Sequence, residues 1–196
     1  MRWRRTASAA DDPVSAAMAA QDRKRFLPAD QQQHADEDRA LPIGHHATNS
    51  QPSTVHAMIT LLDPRPGDRV LDVGAGSGWT VAILGDLVGP GGRVLGVELV
   101  GDLVVRARAA LADGDQPWVS VTVAHPGRLG APVQGPWDRI LVSADGGRVP
   151  GDLTEQLALG GRLVLPVRGR MTVVDRTEDG LTEHRVRGSW QFVPLR

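Results

Sequence analysis

The chain has 196 residues, 41% of them apolar and 23% charged, with a formal net charge of −1 and no cysteine. That length suits one domain with a sizeable core and not two, the composition excludes a disordered chain, and the absent thiols exclude disulfides and cysteine-ligated metals. With no charge excess to attract a polyanion and no apolar run near the ~20 residues of a membrane span, neither nucleic acid nor membrane is expected as partner, and a cytoplasmic monomer is.

Met1-Arg2-Trp3-Arg4-Arg5 opens like a signal peptide, but Asp11, Asp12 and Pro13 interrupt before an apolar core can form. Residues 1–12 are expected to be disordered, and 13–196 to form one domain. From Val14 to Arg25 the spacing of Val14, Ala17, Met18 and Gln21 predicts a helix, whose basic end Arg23-Lys24-Arg25 reads as a solvated terminus. A polar loop from Ala29 to Arg39 follows. Leu41 to Pro52 reads as irregular but too apolar for a linker. Pro52 then opens a helix through Val55, Met58, Ile59 and Leu62, with Ser50 or Gln51 placed to cap it.

The next stretch organises the rest. Val70-Leu71-Asp72-Val73 is an apolar run ending at an acid, Gly74-Ala75-Gly76-Ser77-Gly78 is a glycine turn, and Thr80, Val81, Ile83, Leu84 and Leu87 carry a helical pattern. Strand, glycine turn and helix make the first unit of a nucleotide-binding α/β sheet. A dinucleotide fingerprint needs glycine where this chain has Trp79, so a cofactor without a pyrophosphate fits better, and S-adenosyl-L-methionine is the expected one. About twenty residues past Gly78, the strand Arg93 to Glu98 ends in a carboxylate placed to take the two hydroxyls of a ribose.

A helix from Asp102 to Leu111, a strand from Trp118 to Val123, a Pro/Gly-rich loop and a strand from Asp138 to Val142 come next. Beyond Pro150 a helix carrying Leu153 and Leu157 is expected to break at Gly160-Gly161, before a strand from Arg162 to Val167. The tail alternates as strands over Met171–Asp175, Leu181–Arg187 and Trp190–Val193, with Thr177 to Gly180 as a hairpin turn. The expected fold is α/β: a doubly wound, mostly parallel Rossmann-like sheet with antiparallel C-terminal strands and an N-terminal helical extension. Residues 13–65 would form the extension, 66–167 the cofactor-binding core and 168–196 the β-rich end. The ligand should sit where Gly74–Gly78, Glu98 and Ser143 converge.

Three segments carry a family resemblance: Glu37 to Gly44 with its Leu-Pro-Ile-Gly, Thr48-Asn49-Ser50-Gln51-Pro52, and Pro66 to Gly78. With Pro136 to Ile140, Gly160 to Val167 and the closing Phe192-Val193-Pro194-Leu195, the chain from about Ala17 onward resembles protein-L-isoaspartate O-methyltransferases. These are S-adenosylmethionine-dependent enzymes that methylate a carboxylate on damaged protein. The resemblance implies a protein or peptide substrate with an isoaspartyl or aspartyl residue, S-adenosyl-L-homocysteine as product, and no metal. It implies a cofactor set of Thr48, Asn49, Ser50, Asp72, Gly74, Ala75, Gly76, Ser77, Gly78, Glu98, Leu99 and Gly127. It implies an acceptor set of Ile43, Gly44, His45, Ser50, Gln51, Val193, Pro194 and Leu195.

Departures from the family pattern fall at His46, Ala47, Asn49 (branched apolar in the family) and Ser53. Pro126 stands where an aspartate normally helps hold the adenine, and Asp145 interrupts an alanine-rich run. Two alternatives follow from them: an O-methyltransferase dedicated to one ribosomally made peptide, or a non-catalytic cofactor-binding module.

The chemistry asks little of the residues. A carboxylate with a reference pKa near ~4 is ionised at neutral pH, so methyl transfer to it needs alignment and removal of water more than a base. Ser50 is the candidate catalytic residue, its hydroxyl donating to one carboxylate oxygen; the competing role is a plain helix cap. Asp72 is placed either to accept from the methionyl amine or to fix the glycine turn. Spacing of His45, His46, His56 and His125 matches no typical metal site. Trp79, Trp137 and Trp190 are expected to pack in the core or at the rim.

Overall fold

The computed structural model describes residues 12–125 and 127–195. Except for Asp12, the N-terminal segment expected to be disordered lies outside them, as does Pro126. Asp12 is an ordered N-cap: its carboxylate accepts from the Val14 and Ser15 N–H groups and opens α1, Pro13–Ala20. That helix ends earlier than the sequence spacing implies, because Arg23–Phe26 turns into a separate 3-10 segment capped by Asp22.

The segment after the polar loop is not irregular. Leu41–Gly44 (β1) and Ala47–Asn49 (β2) pair antiparallel, and His45 and His46 form the tip with φ of 53° and 59°. Two consecutive left-handed residues are what a tight two-residue hairpin turn requires. The helix α2, Pro52–Leu62, begins as expected, but neither Ser50 nor Gln51 caps it through a side chain. Asp38 does so from a distance, its Oδ1 accepting from the Ser53 N–H at 2.9 Å while Oδ2 accepts from the Gln51 amide at 3.1 Å.

The main sheet is built from β3 (Arg69–Val73), β4 (Arg93–Glu98), β5 (Val119–Val123), β6 (Trp137–Val142), β7 (Leu157–Val167), β8 (Arg170–Thr177) and β9 (Gly180–Arg185). Their order is β5-β4-β3-β6-β7-β8-β9, with β3 to β7 parallel and the last two antiparallel. The chain winds outward from β3 to β5, then crosses back to β6. Strand order therefore reverses beside β3, where ligands settle in open α/β sheets. Between the strands lie α3 (Trp79–Val88), α4 (Gly101–Ala112) and α5 (Gly151–Thr154).

Alternate residues of the central strands point to opposite faces. Val70, Val94, Val121, Leu141 and Val164 pack under the helices α1 to α4. Leu71, Leu95, Ile140 and Leu163 pack on the other face with Trp137, Leu153 and Leu157. Trp79 and Trp137 are core residues, 4% and 0% exposed, and Trp190 packs at the rim.

Two C-terminal expectations need correction. The helix beyond Pro150 lasts a single turn, and Leu157 already belongs to β7. Gly160-Gly161 does not break a helix but bulges that strand: Gly160 has φ +78° and pairing jumps from Trp137↔Leu157 to Arg139↔Arg162. The stretch Trp190–Val193 is not a sheet strand. It runs irregularly at the carboxyl ends of the strands, and among the described residues its β-bridge to the sheet side is the parallel pair Asp145↔Pro194 just beyond it.

Candidate active site

The glycine turn adopts the conformations that make glycine necessary there. Gly74, Gly76 and Gly78 have φ of 82°, 52° and 86°, all in the left-handed region. A Cβ on Gly78 would lie 3.1 Å from Ala107 of α4, and one on Gly76 would lie 3.4 Å from Ile43 of β1. The loop is thus pressed between a helix and the hairpin, and its inner edge borders a cavity of about 1220 Å³.

Four walls bound that cavity. The first is the end of β3 with its loop and the end of β4; the second is the β1–β2 hairpin with residues 48–51; the third is the tail 189–195 with Ser143, Ala144 and Gly146 after β6; the fourth is the loop after β5, with Ala124, His125 and Gly127 to Gly130. Of the residues expected in the site, Thr48, Asn49, Ser50, Gln51, Gly74, Ala75, Gly76, Ser77, Glu98, Leu99 and Gly127 line it. On the acceptor side His45, Val193, Pro194 and Leu195 do so as well. Gly78, Ile43 and Asp72 stay buried behind the wall, and Gly44 is exposed outside it. Ile43 is a core residue, 1% exposed, that supports the glycine loop from below.

Glu98 is held by the backbone. Its Oε2 accepts from the Gly76 N–H and its Oε1 from the Val100 N–H, each at 3.0 Å. The carboxylate thereby locks the glycine loop to the end of β4 and keeps lone pairs free toward the cavity. His45 at the hairpin tip lies 3.3 Å from Asp102, and Arg106 of α4 donates to the Ile43 carbonyl at 2.7 Å. The hairpin is therefore braced against the helix that follows β4.

Asp72 is 0% exposed, and neither of its carboxylate oxygens has a hydrogen-bond partner among the described residues. Burial, reinforced by the nearby charge of Glu98, pushes its carboxyl up to about 7. An uncompensated acid behind the glycine loop favours a positive charge in front of it. With the Glu98 carboxylate on the same cavity, it makes this side favourable to a cationic ligand, and a sulfonium with an ammonium group satisfies it.

Sequence reasoning missed the residue that ties the second wall together. Arg23 is 5% exposed and no solvated helix end. It donates to the Asn49 side chain at 2.7 Å and to the carbonyls of Ala35, Glu37, Arg39, Asn49 and Ser50. Its guanidinium also lies over the Trp79 ring, 5.2 Å from the centroid. Asn49 passes the link on, its amide donating to Ser77 Oγ at 3.0 Å. One buried cation thus joins the N-terminal extension, the Ser50 peptide and the glycine loop. A run of three basic residues gives no local signal as to which of them is buried.

Ser50 keeps its hydroxyl for other use. Its carbonyl is engaged by Arg23 at 2.9 Å, but its side chain does not cap α2. The competing cap role falls to Asp38, whose carboxyl stays below its usual range because the Ser53, Gln51 and Arg23 interactions outweigh its burial.

The comparisons with known proteins agree with this geometry. A family model described as protein-L-isoaspartate(D-aspartate) O-methyltransferase (PCMT) matches residues 2–196. A protein-L-isoaspartate O-methyltransferase from Aeropyrum pernix is 44% identical over 186 residues, covering 93% of this chain and 72% of the relative. One from Methanopyrus kandleri is 44% identical over 187 residues, covering 93% and 82%. Among solved structures, a protein-L-isoaspartate O-methyltransferase superposes with a TM-score of 0.85 at 23% identity, over 95% of this chain and 62% of that one. A Plasmodium falciparum chain described as PCMT, in complex with S-adenosyl-L-homocysteine, gives 0.83 at 22% identity, over 95% and 91%. At those identities the two structures speak for the fold alone.

Proposed function

The chain belongs to the protein-L-isoaspartate(D-aspartate) O-methyltransferase family of S-adenosylmethionine-dependent enzymes, and from that premise we propose that it methylates the carboxylate of an isoaspartyl residue in a polypeptide. The observation that carries the proposal is one shared cavity. The glycine loop with Glu98 borders it on one side, and Ser50, His45 and the Val193–Leu195 tail border it on the other. Donor and acceptor can lie side by side there, which is what a direct transfer between them needs.

Bound there, S-adenosyl-L-methionine supplies a methyl group on a positively charged sulfur. Gly74, Ala75, Gly76 and Ser77 would hold its methionyl portion, Glu98 and Leu99 its ribose, and Gly127 the adenine side. Asp72 complements the positive charge from behind the loop without touching the ligand. Its burial favours a role in the electrostatics of the turn over direct acceptance from the methionyl amine.

The acceptor carboxylate is already an anion at neutral pH, so no side chain has to take a proton. Ser50 Oγ, which has no partner among the described residues, donates to one carboxylate oxygen and leaves the other aimed at the methyl. Arg23 and Asn49 fix the Ser50 peptide relative to Ser77. The walls around it exclude bulk water from the nucleophile.

Methyl incorporation into a synthetic isoaspartyl peptide and its normal aspartyl isomer tests the proposal. The isoaspartyl peptide should form a base-labile ester, and the isomer should not. Transfer to neither, by protein that still binds S-adenosyl-L-homocysteine, would overturn it in favour of a binding module. Preference for the aspartyl isomer would overturn it in favour of a dedicated peptide substrate.

A further inference from the structure

Asp145 is half-buried just behind the third wall, and more chain segments meet on it than on any catalytic candidate. Its Oδ1 accepts from the Gly147 N–H at 2.8 Å and the Arg168 N–H at 2.9 Å, and its Oδ2 from the Gly169 N–H at 2.9 Å. Its own backbone N–H donates to the Val193 carbonyl, and its carbonyl accepts from the Leu195 N–H, both at 2.8 Å. Gly169 in turn accepts from the Trp190 N–H at 2.9 Å. Both anchor points of the tail therefore run to this residue, at 193–195 directly and at 190 through the turn between β7 and β8.

Beyond these bonds the tail is held by side-chain packing, of Trp190 and Phe192 on one apolar cluster and Leu195 on the other. Val193 is 46% exposed, Pro194 is exposed as well, and among the described residues the segment has no strand neighbour beyond the bridge at Asp145. The turn it leans on is itself unfavourable, since Arg168 has φ of 50°, a left-handed conformation costly for a side-chain-bearing residue. An acceptor bonded to two successive N–H groups compensates that strain. Burial opposes ionisation of Asp145, but the N–H groups of Gly147, Gly169 and Arg168 outweigh it and keep the carboxyl below its usual range.

We propose that Asp145 is a positioning residue for acceptor selection: its carboxylate holds the Arg168-Gly169 turn and, through it, the 190–195 tail as the acceptor wall of the cavity. The proposal rests on the isoaspartyl-methyltransferase reading above, and it concerns a position where this chain departs from its family's alanine-rich run. Asp145 lies off the cavity wall, so it acts through the tail and not on the ligand. Alanine keeps both main-chain bonds to the tail but releases the turn. Asparagine keeps one carbonyl acceptor for Gly147 and Arg168 and loses the bond to Gly169.

Steady-state kinetics with an isoaspartyl peptide, S-adenosyl-L-homocysteine calorimetry and trypsin cleavage after Arg187 test it together. Asp145→Ala should raise KM for the peptide at least fivefold, with kcat and the homocysteine-product Kd within about twofold of the starting protein. Asp145→Asn should lie between. Cleavage after Arg187, measured without any substrate, should accelerate in the same order. An unchanged KM in folded Asp145→Ala protein, even with a lowered Tm, would make Asp145 a brace and overturn the proposal. So would an unchanged cleavage rate. If the unaltered protein methylates no isoaspartyl peptide, the functional reading fails separately, and the cleavage rates alone decide whether Asp145 holds the tail.

Discussion

Replacing Arg23 by methionine separates the structural account of the second wall from the reading that sequence alone suggests. A solvated basic residue at a helix end costs within ~0.5 kcal/mol when replaced, which for a chain of this size is a shift of about 1–2 °C in Tm. The structure demands far more. Methionine fills a similar volume but abandons the carbonyls of Ala35, Glu37, Arg39, Asn49 and Ser50 and the Asn49 side-chain oxygen. Each buried acceptor left unpaired costs ~1–3 kcal/mol. Those near Glu37 and Arg39, whose side chains are exposed, can be rehydrated and cost less. With two or three of the acceptors out of reach of water, the loss comes to about 3–5 kcal/mol, which is about 6–20 °C at 2–4 °C per kcal/mol. Burial draws the guanidinium down to about 10, so it remains charged throughout neutral buffers. Differential scanning calorimetry of Arg23→Met beside Lys24→Met, an exposed neighbour in the same basic run, makes the comparison internal. The Lys24 variant should melt within 2 °C of the starting protein. An Arg23 variant melting within about 4 °C would refute the reasoning that this cation organises the wall.

Ser50→Ala should lower kcat for the isoaspartyl peptide about tenfold or more, with Tm and S-adenosyl-L-homocysteine affinity nearly unchanged, because Asp38 already supplies the cap; normal turnover would remove its catalytic role. Glu98→Ala should weaken S-adenosyl-L-homocysteine by ~1–3 kcal/mol in calorimetry, since the carboxylate locks Gly76 and, in the proposed assignment, takes the ribose hydroxyls; an unchanged Kd would remove the assignment. Asp72 gives a pH signature in the ligand-free protein. Its folded-state carboxyl is raised from 3.8 to about 7, so the folded state binds the extra proton. Stability from this group is present below pH ~4 and is lost as pH rises toward 7. Asp72→Asn, which does not titrate, should gain in Tm relative to the starting protein between pH 4 and 7, with no further gain above; a Tm difference independent of pH would contradict the buried-acid account.

Much of the cofactor half was legible because its signals are local. A run such as Val70 to Val73 forms a central strand wherever it is placed, and Gly74, Gly76 and Gly78 occupy conformations that other residues adopt only at a cost, so the glycine spacing carries its own geometry. The carboxylate of Glu98 follows from the strand pattern and the distance along the chain. The Thr48–Pro52 motif likewise pointed to the wall on which it is found. By contrast, pairing of β1 with β2 joins stretches of four and three residues, too short for a periodic signal, and their strand character comes from facing each other across two left-handed histidines.

Burial of charge is decided by what else arrives. Arg23 is inside because carbonyls from two later stretches, 35–39 and 49–50, converge on it, and Lys24, its neighbour in sequence, is outside for want of them. Leu157 shows the same limit, reading as the end of a helix until β6 offers a strand to pair with. The sequence alone determined the strand-loop-helix unit, the acid of the next strand and the family motifs, because those depend on conformational preferences within a few residues. Only the tertiary structure decided that Asp72 is sealed behind the loop, that Asp38 and not Ser50 caps α2, and that the tail ends on Asp145. Each of those outcomes depends on hydrogen-bonding groups brought together from distant parts of the chain, where solvent is excluded and an unmatched partner is costly.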